Sequence, residues 1–234
     1  MNNSNILISL SAYKEAENIV KITDKIRSQF PTIKILIIND ESYDNTEKLI
    51  QEKNDENITI IQRPKKLGLG TAHKLSLIYA IKNDYEYLVT MDADFSHDPS
   101  ILPNIIENLD FNAFVLGSRY VKGGKCLMKG NRLIMSFLGN KLIKIISGIK
   151  SNEFTTSYRG FNLNKLGNFN LNKVNYKGYS FFMGTIFELY KNKIFIKEIP
   201  IIFKDRSKGV SKIPRFEILR TLKNLFIFSI KKYF

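Results

Sequence analysis

The sequence predicts an α/β fold: a mostly parallel, doubly wound sheet with helices on both faces, closed by an amphipathic C-terminal helix. Two observations carry this. Short β-branched apolar runs alternate with segments of helical spacing at the intervals of strand–helix–strand units. The runs are continuous rather than alternating, as strands buried on both faces require, and polar loops follow their C-terminal ends.

Ile6 to Leu10 reads as the first strand, and Glu15 to Phe30 has helical spacing through Ile19, Ile22 and Ile26 until Pro31 stops it. Lys34 to Asn39 is the second strand, followed by Asp40-Glu-Ser-Tyr-Asp-Asn-Thr46 and a helix through Leu49 and Ile50. Ile58 to Ile61 makes a third strand. The basic, glycine-rich stretch Arg63-Pro-Lys-Lys-Leu-Gly-Leu-Gly-Thr71 opens onto a helix from Ala72 to Lys82. Tyr87 to Asp92 is a fourth strand, running into Ala93-Asp-Phe-Ser-His-Asp-Pro99. A helix to Leu109 and a strand from Ala113 to Gly117 continue the alternation and end in Ser118-Arg-Tyr120. Val121-Lys-Gly-Gly-Lys125 reads as a mobile linker before an amphipathic helix, Asn131 to Ser147. Glu153 to Phe161 looks like a turn into a strand, Tyr179 to Lys191 a helix and Ile194 to Phe203 a strand.

Residues 1–212 form one catalytic unit in this reading, and residues 213–234 a basic amphipathic helix, with Phe216, Leu219, Leu222, Phe226 and Ile230 on one face. That helix suits a membrane surface, a partner protein or the domain itself.

Composition narrows the classes. The chain has 234 residues, 44% hydrophobic and 25% charged, which excludes a disordered or fibrous protein. A net charge of +14 favours anionic partners. No RNA- or DNA-binding signature accompanies the charge, so nucleic acid is not expected. The single cysteine, Cys126, makes no intrachain disulfide and points to a reducing compartment. There is no signal-peptide pattern and no run of 18 apolar residues, so a cytoplasmic location is expected.

The chemistry starts at Asp92 and Asp94. One residue apart on extended backbone, their carboxylates point to the same side and repel, and a hard divalent cation relieves that. Mg²⁺ or Mn²⁺, held by one or two carboxylates plus the phosphates of a substrate, fits the pair. The competing reading is a solvated surface turn. His97 reads as a structural hydrogen bond in the turn, with ligand contact as its alternative, and His73 as a helix-start residue. The Leu67-Gly-Leu-Gly70 stretch lacks the third glycine of a dinucleotide fingerprint and reads as a strand-to-helix turn or a loop over a nucleotide-sugar.

Several blocks, in order, resemble one known family. They are Ser-Ala-Tyr-Lys-Glu-Ala-Glu-Asn18, Ile-Asn-Asp-Glu-Ser-Tyr-Asp-Asn-Thr46, the Arg63–Ala72 loop, Met-Asp-Ala-Asp-Phe-Ser-His-Asp-Pro99, Gly-Ser-Arg-Tyr120, Gly-Tyr-Ser-Phe181 and Glu-Ile-Pro-Ile-Ile-Phe-Lys-Asp-Arg-Ser-Lys-Gly-Val-Ser-Lys212. From Leu7 to Lys212 the chain resembles a family 2 glycosyltransferase of the GT-A fold, a Rossmann-like sheet, within the polyprenol-phosphate (dolichol-phosphate) mannose synthase group.

The resemblance implies roles. Tyr13, Glu15, Ile38 and Asp40 would hold the base and ribose of a nucleotide-sugar donor. Asp92, Ala93, Asp94 and Ser96 would surround metal and diphosphate. Arg119, Arg206 and Lys212 would neutralise phosphates, Asp94, Arg119 and Arg206 being the catalytic set. Arg132, with Arg119, would meet the phosphate of a polyprenyl or dolichyl phosphate acceptor. The expected reaction is inverting transfer of mannose from GDP-mannose to that lipid, by an enzyme peripheral on the cytoplasmic face of a membrane or held there by a membrane-embedded partner protein. The alternatives are a family 2 transferase using UDP-glucose or a UDP-N-acetylhexosamine to build a cell-surface glycan, and an inactive nucleotide-sugar-binding protein. The sequence departs from the family pattern at Ser11, Lys14, Asn45, Glu153 and Phe182-Met-Gly184, the last two where acceptor or sugar would be read.

Overall fold

The computed structural model describes residues 5–41, 43–174, 176, 178–205, 223–225 and 227. Strands β1 (Ile6–Ala12), β2 (Lys34–Asp40), β3 (Ile58–Arg63) and β4 (Tyr87–Asp92) alternate with helices α1 (Ala16–Gln29), α2 (Thr46–Glu52) and α3 (Leu69–Lys82). Then come α4 (Leu102–Leu109), β5 (Phe114–Ser118), β6 (Lys125–Cys126), α5 (Asn131–Ser147), β7 (Arg159–Asn162), α6 (Tyr179–Lys191), β8 (Ile196–Pro200) and β9 (Ile202–Phe203).

Seven strands form one sheet in the order β3-β2-β1-β4-β7-β5-β8. The chain winds outward from β1 to β3 and returns on the other side of β1 as β4, which opens a crevice between the C-terminal ends of β1 and β4. Alternate side chains of the buried strands feed two cores. Ile6, Ile8, Leu10, Ile35 and Ile37 pack with Ile19, Ile22 and Ile26 of α1 and Leu102, Ile105 and Ile106 of α4. Leu7, Leu36 and Ile38 face Leu77 and Ala80 of α3 and Phe182 and Ile186 of α6.

The strand expected within Glu153–Phe161 is β7, and it runs antiparallel to both β4 and β5. An antiparallel strand begins where its parallel neighbours end. Arg159 pairs with Thr90 and Leu116, so the residues just before it, Glu153 to Tyr158, are delivered to the crevice.

Two expectations change. The strand foreseen over Ile194–Phe203 is broken at Ile201: β8 pairs with β5, whereas β9 pairs with β6 in a separate two-stranded sheet. The Val121–Lys125 stretch, expected as a mobile linker, is a pinned turn. Gly124 N–H donates to the Val121 carbonyl at 2.9 Å and Lys125 N–H to the Ile201 carbonyl at 2.9 Å. Of residues 213–234, only Lys223–Leu225 and Ile227 are described; Leu225 is buried in the α3/α6 core. Phe216, Leu219, Leu222, Phe226 and Ile230 lie outside the described residues.

Candidate active site

Sheet register builds the site. Ser11 sits opposite Ile38 on one side and Asp92 on the other, so Ile38 of β2, Ser11 of β1 and Asp92 of β4 form one row near the strand ends. Two residues beyond Ile38, Asp40 lies directly across from Arg63 at the end of β3.

After β4 the chain turns sharply. Ala93 N–H donates to the Ser11 carbonyl at 3.3 Å, and Asp94 Oδ1 accepts from Ser96 N–H at 3.0 Å and Ser96 Oγ at 2.6 Å. Phe95 adopts φ of 60°, a left-handed conformation that a bulky side chain tolerates only when its surroundings enforce it. His97 enforces it from below. Its Nδ1 accepts the Asp92 N–H at 3.2 Å, which places the ring proton on Nε2, 3.4 Å from Thr156 Oγ1. Burial pushes its pKa down to about 4, against the pull of Asp94, so the ring is neutral at pH 7. The structural reading of His97 therefore fits its contacts: it fixes the acidic turn to the Glu153–Tyr158 segment.

The residues expected to hold the donor surround the ends of β1 and β2. Tyr13 is half-buried, with Lys66 Nζ 4.3 Å from its ring centre. Glu15 begins α1 and accepts from Asn18 Nδ2 at 2.8 Å, while Asp44 accepts the Ala16 N–H at 3.1 Å and binds the loop after β2 to the start of α1. Asp40 makes a buried ion pair with Arg63 and accepts the Gly68 N–H at 2.8 Å. Arg63 in turn donates to Thr71 Oγ1 at 2.8 Å and to the Gly68 carbonyl at 3.3 Å. The glycine-rich loop is thus clamped onto the end of β2. Gly68 makes this possible with φ of 91°, and Gly70 lets α3 approach α6, since a Cβ there would lie 2.7 Å from Phe181 Cβ. The Ile38 side chain is fully buried in the core, beneath the loops.

The opposite wall is made by Arg119, which follows β5. Its Nε donates to Glu153 at 2.6 Å and its Nη2 to Glu153 at 2.8 Å and Thr155 Oγ1 at 2.8 Å; Nη1 is the nitrogen spent on neither. The guanidinium stacks 5.0 Å from the Tyr120 ring centre and 5.2 Å from that of Phe203. Burial alone would lower the pKa of Arg119 and raise that of Glu153. The mutual attraction outweighs it in both, leaving Arg119 above and Glu153 below its ordinary value, so the pair stays ionised. Phe154 N–H donates to Asn140 Oδ1 at 2.7 Å, tying this segment to α5. Arg159, fully buried, donates to the carbonyls of Thr156, Phe182 and Phe154 at 2.8, 2.9 and 3.2 Å, and burial pushes its pKa down to about 9.

Arg132, near the start of α5, pairs with Asp205 at 3.0 Å, which brings it beside the chain leading into Arg206. Arg206 and Lys212 themselves lie outside the described residues. Sequence reasoning did not foresee the partnerships of Glu153 with Arg119 or of Arg63 with Asp40, nor the buried Arg159. Glu153 had left one signal, as a departure from the family pattern, and Arg63 another, as the first residue of the basic, glycine-rich stretch.

Asp92 and Asp94 supply only carboxylate oxygens, and among the described residues no third His, Cys, Asp or Glu joins them. Such a donor set suits a hard cation that takes its remaining oxygens from a diphosphate and water.

A mostly parallel sheet with an acidic turn at its switch point and a buried guanidinium following β5 is an arrangement suited to phosphorylated ligands. Residues 8–190 match glycosyl transferase family 2, and the chain belongs to that family. It is 31% identical over 212 residues to the polyprenol monophosphomannose synthase of Mycolicibacterium smegmatis, covering 88% of this chain and 80% of the relative. It is 30% identical over 211 residues to the undecaprenyl-phosphate mannosyltransferase of Micrococcus luteus, covering 89% and 87%. Among solved structures, the glucosyl-3-phosphoglycerate synthase of Mycobacterium tuberculosis, in complex with Mn²⁺, UDP and glucosyl-3-phosphoglycerate, superposes with a TM-score of 0.67 at 15% identity, covering 97% of this chain and 79% of that one. The likeness establishes the GT-A fold.

Proposed function

We propose that this glycosyltransferase moves mannose from GDP-mannose to a polyprenyl monophosphate, with inversion at the anomeric carbon, on the cytoplasmic face of a membrane. Its identity to two lipid-phosphate mannosyltransferases supports the acceptor class. The observation that carries the mechanism is the engagement of the carboxylates beside the two arginines: Glu153 is fully buried in the fork of Arg119, and Asp205 is paired with Arg132. A sugar hydroxyl acceptor needs a general base, and neither group is set up as one. A phosphate monoester does not need one, because its second pKa is about 6 and its attacking oxygen is anionic near pH 7.

The work left to the protein is to bring a dianion against a diphosphate leaving group. Tyr13, Glu15 and Asp40 hold the nucleoside, the last through the clamped loop. Asp92 and Asp94, the latter fixed by Ser96, would hold a hard divalent cation, Mg²⁺ or Mn²⁺, which when bound offsets the charge developing on the diphosphate. Arg119, through Nη1, and Arg206 and Lys212 neutralise donor phosphates, and Arg132 meets the acceptor phosphate.

The test is incubation of the protein with Mn²⁺ or Mg²⁺, a polyprenyl phosphate in detergent and radiolabelled GDP- and UDP-sugars. Label entering the organic phase from GDP-mannose, and lost in Asp94→Ala, is expected. Label from a UDP-sugar alone reassigns the donor, and no lipid product from any donor overturns the acceptor.

A further inference from the structure

Strands β6 and β9 pair over only two positions, Lys125 with Ile202 and Cys126 with Phe203. So short a ladder is not stable by itself in water, and its place depends on what else grips it. The grip comes from the acidic turn after β4. Lys204 N–H donates to the Ser96 carbonyl at 3.2 Å, the Phe203 ring meets that of His97 edge-on at 5.5 Å, and Lys204 Nζ reaches Asp98 Oδ2 at 3.5 Å. Ser96, His97 and Asp98 are consecutive, so Phe203 and Lys204 follow the turn for three residues.

The same ring touches Arg119. The buried guanidinium lies 5.2 Å from the Phe203 ring centre and 5.0 Å from that of Tyr120, distances at which a cation gains from an aromatic face, most of all where water is excluded. Glu153 takes two nitrogens of the fork, which fixes the guanidinium within its own plane. The tilt of that plane is left to the rings packed on it. Tyr120 is anchored by its hydroxyl to Ser136 Oγ of α5 at 2.7 Å. Phe203 is anchored to His97, whose Nδ1 accepts the Asp92 N–H at 3.2 Å. One series of contacts therefore runs from the Asp92 backbone through His97 and Phe203 to Arg119.

We infer that Phe203 is a positioning residue for transfer: it sets the tilt of the Arg119 guanidinium, and with it the aim of Nη1, relative to the acidic turn. This deepens the reaction proposed above and rests on it. Asp92 and Asp94 on one wall and Arg119 on the other address the phosphates of one donor, and a misplacement of about 1 Å in such a pair costs about a hundredfold in rate. The Phe203 side chain carries no polar atom, so its influence on a phosphate passes through Arg119. Leucine at this position keeps apolar bulk but offers the guanidinium no aromatic face.

The test is a cycle of four proteins, the parent, Phe203→Leu, Arg119→Lys and the double variant, with Phe203→Tyr alongside. Calorimetry measures binding of GDP and UDP with Mn²⁺, the lipid-phosphate assay measures transfer, and denaturant unfolding checks that each protein is folded. Phe203→Leu is expected to weaken nucleotide binding and to lower kcat by about tenfold. Phe203→Tyr, which keeps the aromatic face, should lose clearly less. In the Arg119→Lys background, where the planar fork is already gone, Phe203→Leu should cost less than about twofold more. A ring that only supports the fold would lower both backgrounds alike, so equal losses overturn the inference. Parent-like rates in Phe203→Leu, or a Phe203→Tyr as impaired as Phe203→Leu, do the same. Non-additive loss of nucleotide affinity with no labelled lipid would leave the role of Phe203 standing and remove the proposed acceptor. Transfer with additive losses would keep the reaction and remove the role, and a parent that binds neither nucleotide would remove both.

Discussion

The two sides of the crevice are built by opposite means. On the side proposed for the donor, Tyr13, Glu15, Asp40, Asp92 and Asp94 each stand within a few residues of the end of a parallel strand, and the parallel register brings those strand ends together. On the facing wall, partners come from farther apart in the chain. Arg119 meets Glu153 across 34 residues, and Arg132 meets Asp205 across 73. The first side follows mainly from strand order, while the facing wall follows from side-chain pairing around one antiparallel strand. A substitution of an acidic residue on the proposed donor side should therefore act on chemistry with the fold intact, and one on the facing wall on both together.

The largest expected effect is on the donor side. Asp94→Ala should reduce transfer on the order of a hundredfold or more, measured as initial rate at saturating divalent cation, with an unchanged unfolding midpoint. Glu153→Ala should reverse that balance. Removing one member of a buried ion pair leaves an uncompensated charge, and the cost is about 3–5 kcal/mol, readable by denaturant unfolding. Glu153→Gln, which keeps an acceptor for the Arg119 fork, should lose less. If Glu153→Ala unfolds like the parent protein, the wall around Arg119 does not depend on this pair.

The same contrast explains what could be read from the sequence. Continuous apolar runs and helical spacing marked β1 to β4, α1 and α3, because their burial follows from local pattern, and strand order then implied a crevice. The acidic pair was visible because both members lie on one short stretch. Glu153 was visible only as an anomaly, since nothing local says that its carboxylate is fully buried against Arg119. The pinning of Val121–Lys125 was missed because two glycines read as freedom; at Gly124 the missing side chain instead permits contact, as a Cβ would lie 2.5 Å from the Ser118 carbonyl oxygen. Helical period identified α5 as amphipathic but not which face points outward, a matter decided by the polar contacts of Asn140 and Ser136.

A smaller effect tests where the two sides meet. His73 of α3 is buried edge-on to Phe182 at 4.9 Å, and its Nε2 has no hydrogen-bond partner among the described residues. Burial, reinforced by the charge of Arg159, holds its pKa well below the ordinary value. The unfolded chain then binds a proton near pH 6.5 that the folded one refuses, so stability is full above that pH and falls as the pH drops. Replacing it, His73→Leu, should flatten the stability profile below pH 6.5, leaving the slope that His97 contributes. An unchanged profile would mean that His73 accepts its proton in the folded state.

The smallest effect separates backbone from packing in the donor loop. An added Cβ at Gly68 meets nothing within 4 Å, so Gly68→Ala tests only the strain of φ at 91°. That strain costs about 1 kcal/mol or slightly more. At Gly70 the added Cβ meets Phe181 at 2.7 Å and the Gly178 carbonyl at 3.1 Å, which forces α3 from α6 and costs about 1–3 kcal/mol. Because the Gly68 N–H is held by Asp40, Gly68→Ala should also weaken donor binding, seen as a raised KM for the nucleotide-sugar at nearly constant kcat. Gly70→Ala should lower stability with a smaller change in KM. Equal KM values in Gly68→Ala and the parent would show that the loop holds its place through Arg63 and Thr71 alone, and that Asp40 serves the nucleoside without it.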